Sequence, residues 1–185
     1  MTVDSALVAL LAKHSAKRGD FVLASGKRSN FYIDARLTTM SPAGLSMIGP
    51  IGLASLNRTD WNVSAVGGLT LGADPISYAI SYASATSSRP LRAFTVRKEV
   101  KGHGTAKLLE GPFNTGDRVA IIEDVITTGG SALRAIDAVR NAGGIVAGVL
   151  ALIDREEGGR EKIEQSGLAV ISLTTAAQIM KLLGS

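Results

Sequence analysis

The sequence predicts an α/β fold with a mostly parallel central sheet flanked by helices. Short apolar runs alternate with longer amphipathic stretches along the 185 residues, a pattern typical of strands that alternate with helices. The run Arg118–Ile122, bounded by Asp117 and Glu123, has the apolar character of a parallel strand buried on both faces. No internal repeat or linker-like change of composition interrupts the chain, so we expect a single domain over residues 1–185.

The N-terminal half contains three predicted helices, a hairpin and two strands. Leu7, Leu10 and Leu11 share one face of a helix over Asp4–Lys17. The segment Phe21–Asp34 has the pattern of a hairpin around Ser25-Gly26. Ser41-Pro42 begins a second helix, in which Pro50 is expected to cause a kink or a break. The remaining elements of this half are the strands Val63–Gly67 and Leu91–Val96 and a helix from Asp74 to about Ser84.

The C-terminal half continues the alternation. After the strand Arg118–Ile122, a helix over Ser131–Asn141 aligns Leu133, Ile136 and Val139, and Gly143-Gly144 ends it. The last elements are the strands Ile145–Ile153 and Ala169–Ser172 and a terminal helix over Thr174–Leu183. In open α/β sheets the ligand lies beyond the carboxyl ends of the strands, so we expect the functional residues there.

Composition narrows the function. With 45% hydrophobic and 19% charged residues the chain is globular, and the lack of Cys excludes disulfides, thiol catalysis and iron–sulfur clusters. The net charge of +4 favours anionic ligands, whereas an aromatic content of 4% argues against a stacking surface for single-stranded nucleic acid. No apolar run approaches the ~20 residues that span a bilayer, so we expect a cytoplasmic protein with neither membrane nor nucleic acid as a partner.

The strongest motif is Val119–Ser131, in which an apolar strand is followed by two carboxylates, a loop of Thr, Gly and Ser, and a helix. Gly129 and Gly130 let backbone N–H groups converge at the positive end of the helix, which suits a phosphate monoester. Glu123 and Asp124 suit the vicinal hydroxyls of a sugar or a hydrated Mg²⁺. The alternative is a purely structural strand–turn–helix joint. The residues expected to bind are Glu123, Asp124, Val125, Ile126, Thr127, Thr128, Gly129, Gly130 and Ser131.

A second segment, Val96–Lys107, follows a strand and is rich in cations and glycine. A loop of this composition suits closure over a polyanion, although a solvated charged loop has the same composition. Its candidate ligand-binding side chains are Arg97, Lys98, Lys101 and His103. Two weaker candidates are the turn at Gly67–Gly72 and Arg155, which follows the strand Ile145–Ile153. The dinucleotide-binding and Walker patterns are both absent.

Together these segments resemble the type I phosphoribosyltransferases, and among them the orotate enzymes. Ile121–Ser131 is similar to the family's binding signature for phosphoribosyl pyrophosphate (PRPP). The narrower resemblance depends on the loop Arg97-Lys98-x-x-Lys101-x-His103-Gly104, on Glu110-Gly111 and on Asp154-Arg155. A further match lies in Phe21-x-Leu-x-Ser-Gly-x-x-Ser with Tyr32-x-Asp34. The chain departs from many relatives at Ala24, where they have Lys, and at Leu71-Gly72, where some have a Lys-containing turn.

The resemblance implies a parallel sheet with a small N-terminal hood and a homodimer with shared active sites. It also implies Mg²⁺-dependent transfer of phosphoribosyl from PRPP to orotate, which gives orotidine 5′-phosphate and pyrophosphate in pyrimidine biosynthesis. Glu123–Ser131 would bind the ribose hydroxyls and the 5′-phosphate, and Arg97, Lys98, Lys101 and His103 would bind the pyrophosphate. Thr127 and Arg155 would bind orotate, and Lys101, His103 and Asp124 would be catalytic, with no metal ligand assigned to the chain itself.

Two rival functions share this fold. A phosphoribosyltransferase for a purine or for uracil would not need the loop motif and Arg155. A regulator that senses PRPP and binds nucleic acid usually carries an added DNA-binding module, and the first 20 residues offer a single helix. The cationic side chains of the loop suit a departing pyrophosphate, so they favour an enzyme over a regulator.

Overall fold

The computed structural model describes residues 4–22, 28–99 and 108–183. The chain begins with α1 (Ser5–Ser15), which Asp4 caps by accepting hydrogen bonds from the N–H groups of Ala6 and Leu7, both at 3.0 Å. The predicted hairpin is present, because β1 (Ala16–Val22) pairs antiparallel with β2 (Arg28–Ile33). Its predicted turn at Ser25-Gly26 lies outside the described residues. This two-stranded sheet and α1 form the N-terminal hood.

Three helices follow the hood: α2 (Arg36–Thr39), α3 (Pro42–Asn57) and α4 (Ala73–Ser84). As predicted, Ser41 caps α3, with its hydroxyl accepting the N–H of Gly44 at 3.0 Å, and Pro42 takes the first helical position. Pro50 does not end the helix, which continues for seven residues beyond it to Asn57. Burial of Ile48 and Leu56 on its inner face stabilises the helix against the hydrogen bond that Pro50 removes.

The central sheet has six strands in the order β5-β4-β3-β6-β7-β8. All neighbouring pairs are parallel except β4 and β5, as the predicted mostly parallel sheet requires. The strands are β3 (Ala65–Leu69), β4 (Arg92–Val96), β5 (Leu109–Glu110), β6 (Arg118–Ile126), β7 (Ile145–Asp154) and β8 (Val170–Thr175). Strands β6 to β8 each extend beyond the predicted ends, because their last residues are still paired across the sheet.

Helices cover both faces of this sheet. On one face α1, α3, α4 and α7 (Ala176–Leu183) share a core with the β6 residues Ala120 and Ile122. On the other face α5 (Gly130–Asn141) and α6 (Gly159–Glu164) pack on Val119 and Ile121. Because successive residues of a strand point to opposite faces, the apolar run of β6 supplies both cores. The helices α2 and α6 and the strand β5 are short elements that the sequence pattern did not predict.

Within the part of the chain that the structure describes, no helix combines the length and the apolar character needed to cross a bilayer.

Candidate active site

A cleft of about 660 Å³ lies beyond the carboxyl ends of β3, β6 and β7, where the fold predicts a ligand. Four segments form it: residues 32–36 at the end of β2, residues 69–72 at the end of β3, the end of β6 with the β6–α5 connection, and Arg155 after β7. Lys98 and Arg134 complete the wall. Parallel strands end at the same edge of the sheet, so side chains far apart in sequence converge here.

The β6–α5 connection surrounds a smaller cavity of about 100 Å³ at the N-terminus of α5. Gly129 has a left-handed backbone with φ of +75°, and a Cβ atom there would lie 2.7 Å from the carbonyl oxygen of Gly159. Only glycine fits this position without strain. The first N–H groups of α5 have no partner within the helix, so the cavity combines N–H donors with the positive end of the helix. Its lining residues are Glu123, Val125, Ile126, Thr127, Thr128, Gly129, Gly130 and Ser131.

The predicted acidic pair lies at the end of β6, on the wall of the cleft. Glu123 is only 7% exposed, and burial raises its pKa well above the usual 4.5. The charge of Asp124 and a hydrogen bond with it raise the pKa further, while Arg134 opposes them. Asp124 accepts the N–H of Val125 at 2.8 Å. The protein therefore holds Glu123 toward its neutral form beside Asp124.

The turn after β3 approaches this acidic pair closely. A Cβ atom on Gly72 would lie 2.5 Å from the carboxylate of Asp124, so glycine is required for the two loops to meet. The Thr70–Leu71 peptide within this turn is cis. The buried Asp74 holds the turn from below, accepting the hydroxyl of Thr70 at 2.6 Å and that of Thr95 at 2.8 Å.

Arg36 and Arg134 line the cleft and Asp74 supports it, although no sequence motif marks these three residues. Arg36 makes a two-pronged ion pair with Asp34, with distances of 2.8 and 2.9 Å, and this hydrogen bonding lowers the pKa of Asp34. The sequence signal that could have predicted this ion pair is an acidic residue two positions before an arginine. Arg134 lies one helical turn beyond Gly130, on the face of α5 toward the acidic pair.

Arg155 is buried, with 8% of its surface exposed, yet it lines the cleft. Its Nε donates to Oε1 of Glu157 at 2.8 Å, and its guanidinium carbon lies 4.7 Å from the centre of the Phe31 ring. Nη2 lies 2.7 Å from the same Glu157 oxygen but has no hydrogen-bond partner among residues 4–22, 28–99 and 108–183. A buried cation with an unused donor is suited to an anionic group of a ligand.

The structure brings most predicted site residues together. Glu123, Asp124, Thr127, Thr128, Ser131, Lys98 and Arg155 line the cleft, while Ile126, Gly129 and Gly130 line the smaller cavity. Val125 lines both. Arg97 lies elsewhere, with its guanidinium 3.4 Å from Glu110 on β5. Lys101 and His103 lie outside the described residues.

Comparisons with known proteins agree with this geometry. No protein-family model matches the chain. The orotate phosphoribosyltransferase of Aquifex aeolicus (strain VF5) is 48% identical over 177 residues, which cover 94% of this chain and 96% of the relative. The crystal structure of the Mycobacterium tuberculosis H37Rv enzyme of the same name, in complex with Fe(III) dicitrate, has a TM-score of 0.83 at 41% identity, covering 94% and 97% of the two chains. Its complex with PRPP has a TM-score of 0.75 at 37% identity, covering 94% and 89%.

The parallel sheet, with a phosphate-sized cavity and an acidic pair at one strand end, places the molecule among the type I phosphoribosyltransferases. The predicted fold class is thereby confirmed. The extent of identity is decisive for the narrower assignment, since it spans nearly the whole length of both chains. The chain belongs to the orotate phosphoribosyltransferase family, as the sequence motifs predicted.

Proposed function

We propose that the protein transfers the phosphoribosyl group of PRPP to N1 of orotate, producing orotidine 5′-phosphate and pyrophosphate for pyrimidine biosynthesis. One observation carries the proposal. A cavity of about 100 Å³ at the N-terminus of α5 opens beside a cleft whose lining includes the buried Arg155. A phosphate binder and a carboxylate binder therefore face one reaction space, as a sugar phosphate and an acidic base require.

PRPP is expected to bind through the β6–α5 connection. The 5′-phosphate fits the smaller cavity, where the N–H groups of α5 and the hydroxyls of Thr127, Thr128 and Ser131 surround it. The ribose hydroxyls then lie beside Glu123 and Asp124 at the end of β6. A neutral Glu123 can donate a hydrogen bond, whereas ionised carboxylates only accept, so the pair offers both functions to a diol.

The pyrophosphate of PRPP is expected at the turn after β3. Residues 70–72 and Lys98 line the cleft there. Leu71 stands where some relatives carry a lysine turn, so the turn itself adds no cation. We propose that Lys101 and His103 supply the missing positive charge and stabilise or protonate the leaving group.

Orotate is expected between Thr127 and Arg155. The planar guanidinium offers two parallel N–H groups to the carboxylate of the base, which distinguishes orotate from uracil. Placing N1 of the base against C1 of the ribose lets the new bond form as the bond to pyrophosphate breaks. Asp124 lies on the ribose side, where positive charge develops, so its negative charge favours that transition state.

Mg²⁺ is the expected cofactor, and the residues of the cleft are compatible with it. No group of three or more acidic, His or Cys side chains among the described residues forms a metal cage. Mg²⁺ commonly keeps several waters and binds through one or two carboxylates together with substrate phosphates, and Asp124 with PRPP provides such a set. When bound, the ion neutralises charge on the departing pyrophosphate.

We also propose a homodimer in which the partner completes the site. The packed helices α3 and α4 leave an apolar groove of about 550 Å³, in which Tyr82 is 86% exposed and Tyr78 is 52% exposed. An exposed apolar surface of this kind is typical of a protein interface. Because α4 starts directly after the turn that lines the cleft, a second copy on this groove lies near the reaction space. Arg97, which does not line its own cleft, is then available to the partner's.

The test is the change in orotate absorbance when PRPP and Mg²⁺ are added to purified protein. We expect orotate to be consumed only when both are present. Controls replace orotate with uracil, hypoxanthine or adenine, and faster consumption of any of these would contradict the proposal. The cytoplasmic location stays a prediction from the sequence, which cell fractionation would check.

A further inference from the structure

We propose that Glu157 is a positioning residue that orients the guanidinium of Arg155 toward the carboxylate of the base. The inference builds on the proposed function, because it assigns a partner to the residue expected to select orotate. Glu157 follows β7 and precedes α6, and it does not line the cleft. Its effect on the substrate would therefore be exerted through Arg155.

The contacts hold Arg155 at two places on its side chain. One oxygen of Glu157 lies 2.8 Å from Nε and 2.7 Å from Nη2, and the ring of Phe31 lies under the guanidinium plane at 4.7 Å. The Arg155 side chain is 6% exposed and that of Glu157 is 30% exposed, so the pair is largely shielded from water. A hydrogen bond to Nε together with a stacked ring restricts rotation of the guanidinium about its last side-chain bonds.

Both contacts lie outside the reaction space. Arg155 lines the cleft and also a neighbouring cavity of about 330 Å³, whereas Phe31 lines that second cavity and not the cleft. The guanidinium thus forms part of the wall between the two spaces and is contacted from behind. An arginine has five N–H donors, and Glu157 hydrogen-bonds the one on Nε. Nη2 is ion-paired with the same Glu157 oxygen at 2.7 Å but meets the geometry of a hydrogen bond with none of the described residues, so the guanidinium keeps N–H donors for a carboxylate in the cleft.

The backbone turn after β7 places Glu157 beside the guanidinium of Arg155. The N–H of Arg155 donates to the carbonyl of Ile126 at 3.0 Å, which ties the residue to β6. Glu156 then adopts a left-handed conformation with φ of +59°, and its N–H donates to the side chain of Asp154 at 2.8 Å. Left-handed backbone is uncommon outside glycine and persists only where its surroundings stabilise it. The turn therefore reverses the chain and brings the carboxylate of Glu157 against the side chain two residues before it.

The same contact carries a second physical effect of opposite sign. A carboxylate beside Arg155 reduces the positive potential available to an anionic substrate, so removing Glu157 could strengthen binding of orotate. The geometry favours the positioning effect, because Glu157 occupies the Nε side of the guanidinium and lies outside the cleft. We therefore expect its loss to weaken orotate binding.

The experiment compares Glu157→Ala and Glu157→Gln with Glu161→Gln, which removes the same charge from an exposed position on α6. Glu157→Ala should raise the KM for orotate about 10-fold, with kcat and the KM for PRPP nearly unchanged. Glu157→Gln keeps an oxygen that can accept from Nε, so its KM should lie close to that of the wild type. The Glu161→Gln control should match the wild type in all three constants.

A double-mutant cycle separates positioning from a structural role. In an Arg155→Ala background, adding Glu157→Ala should leave the orotate KM where Arg155→Ala alone puts it. A lower orotate KM in Glu157→Ala would show that Glu157 competes with the substrate and would overturn the inference. An equal rise with and without Arg155, or an equal rise in the KM for PRPP, would overturn it as well.

The outcome also separates this inference from the proposed function. A wild-type protein that consumes no orotate overturns both. An active wild type with an unchanged orotate KM in Glu157→Ala overturns only the role of Glu157. Thermal unfolding of each variant shows whether it is folded. If Glu157→Ala is unstable, Glu157→Leu, which fills the space but cannot accept from Nε, replaces it and should raise the orotate KM to a similar extent.

Discussion

Replacing Glu123 with glutamine removes a titratable carboxyl from the cleft with almost no change in side-chain shape. Glu123 is 7% exposed, and burial is the first cause of its raised pKa, followed by the charge of Asp124 and a hydrogen bond with that residue. In the unfolded chain the same carboxyl titrates near 4.5. Glu123→Gln therefore isolates the free energy associated with this buried acid.

The sign follows from the difference in proton binding. Between pH 4.5 and the raised pKa, folded Glu123 holds a proton that the unfolded chain has released, so the free energy of unfolding falls as pH rises. The stability contributed by the protonated acid is complete below pH 4.5 and is lost by the time pH exceeds the folded pKa. The slope in that window is at most about 1.4 kcal/mol per pH unit for one group.

Urea unfolding of wild type and Glu123→Gln from pH 5 to pH 8 measures the effect. We expect the variant to become more stable relative to wild type as pH rises, because only the wild type loses the stability that protonated Glu123 contributes. Taking the difference between the two curves cancels the titration of the groups that both proteins share. Glu161→Gln, at an exposed position of α6, is the control and should give a flat difference. A flat difference for Glu123→Gln would refute the reasoning, since it would mean that the folded and unfolded pKa values of Glu123 are equal.

Three further predictions address the cleft. Arg155→Ala should cost about 2–5 kcal/mol in the transition state, which is a fall of roughly 30- to 5,000-fold in kcat/KM for orotate measured by steady-state kinetics. The dissociation constant for PRPP, measured by calorimetry, should change far less. Gly129→Ala should lower the free energy of unfolding by about 1–3 kcal/mol and weaken PRPP binding, because a side chain at φ +75° would contact the carbonyl of Gly159; urea unfolding with and without PRPP tests it. If sites are shared in a two-fold dimer, inactive Lys101→Ala and Asp124→Asn homodimers should recover roughly a quarter of wild-type activity after subunit exchange. No recovery after verified exchange would show that each site is built within one chain.

Local patterns in the sequence determined the alternation of helices and strands and the phosphate cavity. The strand, the acidic pair, the glycine turn and the helix of Val119–Ser131 are consecutive, so short-range geometry alone assembles them. Arg155 was predictable for a related reason, because it follows an apolar strand whose end must lie at the ligand-bearing edge. The prediction of one domain stays a prediction, which a single cooperative unfolding transition would support.

Elements with weak periodicity were harder to predict. Strand β1 is mostly exposed and largely polar, with a register shift between Arg18 and Phe21, so it lacks the alternation that marks a half-buried strand. The sequence predicts that strand β6 ends at Ile122, because the apolar run stops there. Its pairing with β7 continues to Ile126 opposite Asp154, and neighbouring backbone groups stabilise the extension.

Only the tertiary structure decided which distant residues meet in the cleft. Gly72 contacts Asp124 because β3 and β6 are adjacent and parallel, and Asp74 binds Thr95 because α4 packs beside β4. Phe31 stacks on Arg155 although the two are separated by most of the chain. Such contacts depend on strand order and on the direction of each side chain, which the sequence pattern of a single element does not contain. The sequence alone determined which segment could bind a phosphate, and the packing of the sheet decided which distant side chains lie beside that segment.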